Sequence, residues 1–173
     1  MSEFGTRHPD APRELDLFAF LAGRWDGSGL GIDTPGEPPK PYSMTWVGRF
    51  IMGGHAFADE ARILDADGNI ERVFVSYRYV DPKTGDWYTE AHHVLESRLV
   101  PQTPNEVGGV QALDDGAIVV TSLIQSGIIG RETFRADGSN AFTFQLDVST
   151  DGRENWIERV DRIDATRAAS PSA

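Results

Sequence analysis

Apolar and polar positions alternate along most of the chain after residue 22, and turn residues interrupt the alternation at short intervals. The alternating segments are rich in Val, Ile, Phe, Tyr, Trp and Thr, a composition typical of β-strands. The turns between them, such as 65–69 and 81–85, supply Gly where a positive φ is needed and Asp or Asn to bond the local backbone. The predicted strands are 23–31, 42–51, 55–64, 71–80, 86–96, 108–113, 116–126, 129–136, 140–149 and 155–163.

A single segment has helical spacing. Residues 14–21 place Leu15, Phe18 and Leu21 on one face, and Gly23 can end the helix. About ten short strands with tight turns predict an all-β fold, an antiparallel up-and-down β-barrel with one short N-terminal helix. A two-sheet sandwich is the alternative. The predicted domain spans residues 14–163, with flexible tails at 1–13 and 164–173.

The hairpin around residues 82–85 allows its cross-strand pairs to be predicted. A four-residue loop makes residues 81 and 86 face each other, and cross-strand partners share a face of the sheet. The predicted pairs are Val80 with Trp87, Tyr79 with Tyr88, Tyr77 with Glu90 and Val75 with His92. The face with Val73, Val75, Tyr77 and Tyr79 is the more apolar one, so we expect it to point inward. Tyr77, Glu90 and His92 are then predicted catalytic groups, and a one-residue shift would turn His93 inward instead of His92.

The hairpin at Gly53-Gly54 brings a carboxylate into predicted apolar surroundings. Met44, Trp46 and Phe50 share one face of their strand, and Phe57, Asp59, Ala61 and Ile63 are expected on the same face across the turn. Desolvation there would raise the pKa of Asp59, which completes the catalytic set. Arg49, Glu60 and Arg62 are expected to form a solvated row on the opposite face. The predicted ligand-binding residues are Tyr79, Tyr88, Trp46, Phe57 and Met44.

Composition removes several classes of function. The net charge of −11, without a Lys/Arg cluster, argues against nucleic-acid binding and against anionic membrane surfaces. The chain has no Cys, and the adjacent His92 and His93 point to opposite sides of a strand, so no metal site is predicted. A polar N-terminus without an apolar signal segment and the absence of a spanning apolar run favour a cytoplasmic location. An acidic barrel could also pair through its outer face as a homodimer.

Four segments in order resemble a known family. They are Phe18-Ala-Phe-Leu-Ala-Gly-Arg-Trp25, Ile51-Met-Gly-Gly54, Tyr77-Arg-Tyr-Val-Asp-Pro-Lys-Thr-Gly-Asp-Trp87 and Ser149-Thr-Asp-Gly-Arg-Glu-Asn-Trp156. Over roughly residues 14–163 the chain resembles the calycin-like barrels related to the DUF1579 domain, and more distantly the lipocalins. The resemblance implies that Trp25 plugs one barrel end beneath an arginine of the last strand, Arg159 or Arg162.

The Gly-x-Trp element also resembles nitrobindin, a haem-binding relative whose axial histidine lies in the C-terminal part of the barrel. This chain has no histidine after His93, so haem is not expected, and no cofactor is predicted.

Two functions remain open for a small apolar or aromatic partner held in the barrel. The first is a cofactor-independent enzyme of isomerase, cyclase or lyase type that works by general acid–base chemistry. The second is a non-catalytic binding or carrier protein, in which the polar groups only orient the ligand. A purely structural interaction module is a further alternative.

Overall fold

In the described part of the chain, eleven antiparallel strands form one sheet that curls into a nearly closed barrel. The structure, a computed structural model, describes residues 3–32, 36–95, 98–100, 109–125 and 127–169. The strands are β1 Gly23–Gly31, β2 Lys40–Ile51, β3 Ala56–Leu64, β4 Ile70–Val80, β5 Trp87–His93, β6 Arg98–Val100, β7 Gly109–Ala112, β8 Ile118–Gln125, β9 Ile128–Asp137, β10 Ala141–Ser149 and β11 Ile157–Arg167. Their order is β6-β5-β4-β3-β2-β1-β11-β10-β9-β8-β7, so β1 and β11 join the two halves of the chain.

The predicted barrel is confirmed, with differences at the ends of strands. The short strand β6 has no counterpart in the prediction, and the last strand continues to Arg167, into the segment expected to be a tail. On the N-terminal side, the His8 N–H donates to the Gly54 carbonyl at 3.0 Å, so this segment is held against the barrel. Residues 1, 2, 96, 108, 126 and 170–173, which also carry predictions, lie outside the described residues.

A 3₁₀ helix, Arg13–Leu21, packs across one end of the barrel where an α-helix-like segment was predicted. Leu15, Phe18 and Leu21 are fully buried, as their spacing predicted. Gly48 of β2 permits the close approach, because a Cβ at this position would lie 2.3 Å from the Leu21 carbonyl oxygen. The same carbonyl accepts a hydrogen bond from Trp25 Nε1 at 2.9 Å, which fixes the helix end to β1.

The arginine that covers Trp25 comes from the last strand, as the resemblance implied, but it is Arg167. Its guanidinium carbon lies 4.2 Å from the centroid of the Trp25 ring, in a cation–π contact. Antiparallel pairing of β1 with β11 places Trp25 opposite Arg167, which excludes the predicted Arg159 and Arg162 from this position. Arg167 also donates to the Ala22 carbonyl at 3.2 Å.

The buried carboxylate of Asp147 links strands β9, β10 and β11. Asp147 accepts hydrogen bonds from Arg131 at 2.8 and 3.0 Å, from Gln145 Nε2 at 2.8 Å and from the Arg159 backbone N–H at 2.8 Å. The register of β10 and β11 shifts beside it. Burial by itself would raise the pKa of Asp147, but these hydrogen bonds outweigh it and hold the pKa below its usual value.

We expect Asp147→Asn to lower the free energy of unfolding by about 1–3 kcal/mol at pH 7, because its donors lose a buried charged acceptor. The folded pKa of Asp147 lies below the unfolded value of about 3.9. Its contribution is therefore present above the unfolded pKa and is lost as the pH falls through the folded pKa. Urea unfolding of the variant and of the exposed control Asp164→Asn should differ at pH 7 and converge in acid. An equal stability of both variants at pH 7 would contradict the role of the network.

Candidate functional site

The hairpin formed by β4 and β5 has the predicted pairing. The four predicted pairs, Val80–Trp87, Tyr79–Tyr88, Tyr77–Glu90 and Val75–His92, all occur. The turn explains this agreement, because the Gly85 N–H donates to the Asp81 carbonyl at 2.8 Å and closes the four-residue loop. The sequence of the loop therefore predicts which residues of the two strands are neighbours.

The predicted direction of this hairpin is wrong. Tyr77 and Tyr79 are 39% and 40% exposed, whereas Arg78 is 3% exposed. His92, predicted to point inward, is exposed on the outer face, and His93 lines the interior instead. Glu90, Tyr88 and the two exposed tyrosines thus lie on the outside of the barrel.

A β-bulge near the start of β4 accompanies this orientation. The register of β3 and β4 changes between the pairs Leu64–Ile70 and Ile63–Arg72, which leaves Glu71 as one extra residue on β4. An extra residue moves every later side chain of a strand to the opposite face, because side chains alternate with a period of two.

The hairpin of β2 and β3 faces the direction predicted for it. Met44, Trp46 and Phe57 are buried in the core, and Asp59 is 4% exposed on the same inner face. The charged row expected on the opposite side is also there: Arg49 and Arg62 are exposed, and Arg62 donates to Glu60. Asp59 is therefore the predicted catalytic residue that the fold places inside the barrel.

A cavity of about 150 Å³ lies inside the barrel. Its apolar wall is formed largely by Trp46, Ile63, Phe74, Phe134, Phe144 and Ile163, and its polar lining includes Asp59, Ser76, Arg78, His93, Glu132 and Asp161. Aromatic rings of the wall pack on one another; Phe134 and Phe144, for example, have ring centroids 5.1 Å apart. An apolar space with few polar groups is typical of a small-molecule site.

Three charged side chains meet at the floor of this cavity. The Arg78 guanidinium donates to the Asp59 carboxylate, and its Nη2 lies 3.8 Å from Glu132 Oε2. Phe18 and Phe134 both contact the cation, with ring centroids 4.9 and 5.6 Å from its central carbon. Two carboxylates therefore share one guanidinium in apolar surroundings.

Burial raises the pKa of both carboxylates, and the single cation opposes it. For Glu132, burial is the main cause, Arg78 lowers the pKa and the Asp59 charge raises it further. For Asp59, burial again raises the pKa, against the direct hydrogen bond from Arg78 and another from Ser76. Because Asp59 has the direct hydrogen bond and Glu132 does not, Arg78 opposes the rise in the pKa of Asp59 by two interactions and that of Glu132 by charge alone.

Two buried side-chain N–H groups, each on a residue that lines the cavity, have no hydrogen-bond partner within the part of the chain that the structure describes. They are Trp46 Nε1 and Arg78 Nε. Both residues line the cavity and are at most 5% exposed. Leaving a buried donor unpaired costs about 1–3 kcal/mol, so an acceptor inside the cavity would gain this energy.

Tyr42 and Asp161 form a second polar contact, which reaches the cavity through Asp161. The Tyr42 hydroxyl donates to Asp161, and the Arg72 guanidinium carbon lies 5.8 Å from the Tyr42 ring. Burial, and then the charge and hydrogen bond of Asp161, raise the pKa of Tyr42 far above its usual value. Gly29 makes room for the phenol, because a Cβ there would lie 2.2 Å from Tyr42 Cζ.

The outward-facing predicted residues line a different space. Tyr77, Tyr79 and Glu90 border an outer groove of about 690 Å³ together with Met52 and His55. The Tyr88 ring stacks on Tyr79 at 4.9 Å, which covers part of this surface. The predicted combination of His92, Glu90 and Tyr77 with Asp59 in one cavity therefore does not occur, since the sheet separates them.

Arg78 and Glu132 were missed by the sequence prediction. For Glu132 a signal was available: it shares its strand face with Gly130 and Phe134, and Phe134 is an obvious core residue. For Arg78 the only signal was a charged residue between two tyrosines, which favours the outer face unless the bulge is known. Among the described residues, no three His, Asp or Glu side chains are grouped to hold a metal ion.

Solved structures with the same fold exist, whereas no family model and no curated protein matches the sequence. The S-type phycobiliprotein lyase CpeS of Guillardia theta has a TM-score of 0.62 at 10% identity, over 90% of this chain and 92% of that one. Rv2717c of M. tuberculosis has a TM-score of 0.57 at 14% identity, over 92% and 99%. A Nostoc punctiforme protein of unknown function from the DUF3598 family has a TM-score of 0.53 at 18% identity.

These structural similarities show that the chain has the same fold as the three proteins. This chain spans 49% of the Nostoc protein, while 87% of this chain is covered. At 10–18% identity the neighbours do not assign a reaction or a ligand. The resemblance to the DUF1579 domain stays a prediction. No helix in the described part of the chain has the length and apolar character needed to cross a membrane.

Proposed function

We propose that this protein binds one small, uncharged and largely apolar molecule inside the barrel, with an acceptor oxygen of the ligand facing Trp46 Nε1 and Arg78 Nε. The observation that carries the proposal is that Trp46 and Arg78, which line a largely apolar cavity, each keep a buried N–H donor unpaired. A ligand oxygen would satisfy donors that the barrel leaves unpaired, and the aromatic wall would bury the rest of the ligand.

The size and charge of the cavity limit the ligand. A volume of about 150 Å³ suits a single six-membered ring, since a designed apolar cavity of about this size binds benzene. Asp59 already neutralises Arg78, so the cluster offers no free positive charge to a carboxylate or phosphate. We therefore expect a cyclic or aromatic ketone, aldehyde or ether rather than an anion.

The test compares cyclohexanone with methylenecyclohexane, which has the same shape but no acceptor oxygen. We expect the ketone to bind about 10-fold more tightly in isothermal titration, because one hydrogen bond to a buried donor contributes about 1–1.5 kcal/mol. Trp46→Phe removes one donor and should reduce this preference while the hydrocarbon still binds. Tyr77→Phe, on the outer face, is the control and should behave like the wild type.

Equal affinity for the two compounds, or no binding of either, would contradict the proposal. Ala61→Leu tests the location independently, because Ala61 lines the cavity and a larger side chain would fill it. This variant should lose both compounds.

A second candidate is the cofactor-independent enzyme of isomerase, cyclase or lyase type. The observation that favours it is the sharing of one guanidinium by Asp59 and Glu132, an arrangement that separates the pKa values of two carboxylates. One structural neighbour is named a lyase, but at 10% identity that likeness supports the barrel alone.

A further inference from the structure

We propose that Glu132 is a catalytic base that moves a proton within a cyclic β,γ-unsaturated ketone bound in the cavity, and that the product is the conjugated α,β-unsaturated ketone. The inference rests on the proposed function, because it needs the ketone oxygen at Arg78 Nε and Trp46 Nε1. It narrows the predicted isomerase, cyclase or lyase activity to one isomerisation and adds a substrate class and a residue that the sequence prediction did not contain.

Glu132 has the access that a base needs, and Asp59 does not. Asp59 is 4% exposed and accepts a hydrogen bond directly from Arg78, so it is less accessible than Glu132 and already paired. The Glu132 side chain is 28% exposed, lines the cavity and lies 3.8 Å from Arg78 Nη2, beyond hydrogen-bond distance. A carboxylate that is close to a cation but not bonded to it can accept a proton from a ligand.

The Arg78 guanidinium sets the distance between the base, Glu132, and the ketone oxygen. Arg78 Nη2 faces Glu132, while Nε of the same planar group is the unpaired donor. A ketone oxygen bound at Nε would therefore be separated from the Glu132 carboxylate by about the width of the guanidinium group. The α-carbon of the ketone can span this distance. Trp46, which also lines the cavity, has a second unpaired donor, Nε1.

The proposed step needs no co-reactant. The Glu132 carboxylate takes a proton from the α-carbon, the C–H electron pair forms a new C=C bond, and the carbonyl π pair moves to oxygen as an enolate. The neutral Glu132 then returns the proton to the γ-carbon, the double bond shifts into conjugation and the carbonyl re-forms. The negative charge moves from the carboxylate to the enolate oxygen, and both positions lie beside Arg78, so the fixed cation stabilises the charge throughout.

The rate of the isomerisation should depend on pH through the ionisation of Glu132. The charged groups near it are Arg78 on β4 and Asp59 on β3, while His93 on β5 and Asp161 on β11 line the same cavity. The base must be ionised to act, so the rate should rise with pH through a pKa that burial and the Asp59 charge place above the ordinary Glu value.

The experiment follows conversion of 3-cyclohexen-1-one to 2-cyclohexen-1-one by the ultraviolet absorbance of the conjugated product. Glu132→Gln should lower the rate by about 10²-fold or more, the scale expected for loss of a general base. Glu132→Asp keeps a carboxylate and should retain part of the rate. Glu90→Gln on the outer face is the matched control and should leave the rate and its pH profile unchanged.

Titration with cyclohexanone separates this inference from the proposed function. If the wild type binds cyclohexanone but does not accelerate the isomerisation, or if Glu132→Gln is as fast as the wild type, the inference is overturned and the binding function stands. If cyclohexanone does not bind, both fail. Melting curves of each variant verify folding, and Glu132→Asp carries the test where Glu132→Gln does not fold.

Discussion

Arg78→Met is expected to lower the free energy of unfolding by about 3–5 kcal/mol at pH 7, the usual cost of leaving a buried charge without its partner. The substitution removes the cation from Asp59, which is 4% exposed, and from Glu132, which shares it. It also removes a contact with Phe18 on the barrel floor. Urea denaturation followed by circular dichroism measures the loss.

The double variant Asp59→Leu/Arg78→Met is the control for this prediction. It removes both charges of the direct pair, so it should be more stable than Arg78→Met, because apolar pairs of similar volume often replace buried ion pairs without loss. The deficit of Arg78→Met should also shrink in acid, since protonation of Asp59 removes the unpaired charge. A single variant within 1 kcal/mol of the wild type at pH 7 would mean that the ion pair is not buried as described.

Phe18→Ala is expected to lower the free energy of unfolding by about 3–5 kcal/mol, the range for removing a buried aromatic side chain. Phe18 is fully buried and contacts Phe57, Trp87 and Phe134 with ring centroids 5.6–6.1 Å apart. It joins the 3₁₀ helix to strands β3, β5 and β9, so its loss leaves a void beneath the charged cluster.

Phe20→Ala, in the same helix, provides the comparison. Phe20 is only partly buried and packs on Phe142 with ring centroids 6.2 Å apart, so its removal should cost clearly less. Thermal unfolding of the two variants measures the difference. Equal losses would indicate that the helix, and not the packing of Phe18 into the barrel, determines the stability at this end.

In the cavity site, the position of Asp59 follows from the local alternation of residues, whereas the position of its partner Arg78 depends on contacts between hairpins. The inward position of Asp59 follows from alternation along one hairpin and could be predicted. Its partner Arg78 could not, because the partner depends on how a second hairpin meets the first. A prediction that treats each hairpin separately finds the carboxylate and misses the cation that controls its charge.

A single extra residue, Glu71, is associated with the face of β4 that points into the barrel. Continuing the Leu64–Ile70 pair without the bulge would place Val75 beside Asp59, on the inner face, as the apolar face of β4 suggested. With the bulge, Asp59 pairs with Ser76 instead, and Arg78 turns inward one step further along. The extra residue is exposed, and nothing in its identity announces that it is unpaired.

The sequence by itself determined the all-β barrel, the turns and the pairing within individual hairpins, because turn residues and a period of two act over a few residues. Only the tertiary structure decided which face of β4 is inside, that Arg167 covers Trp25, and that Glu132 of β9 meets Arg78 of β4. The face of β4 depends on the bulge against the neighbouring strand β3, whereas the other two contacts join strands more than 50 residues apart and depend on closure of the sheet. Such features are set by the summed packing of the whole barrel, for which no local run of residues is a signal.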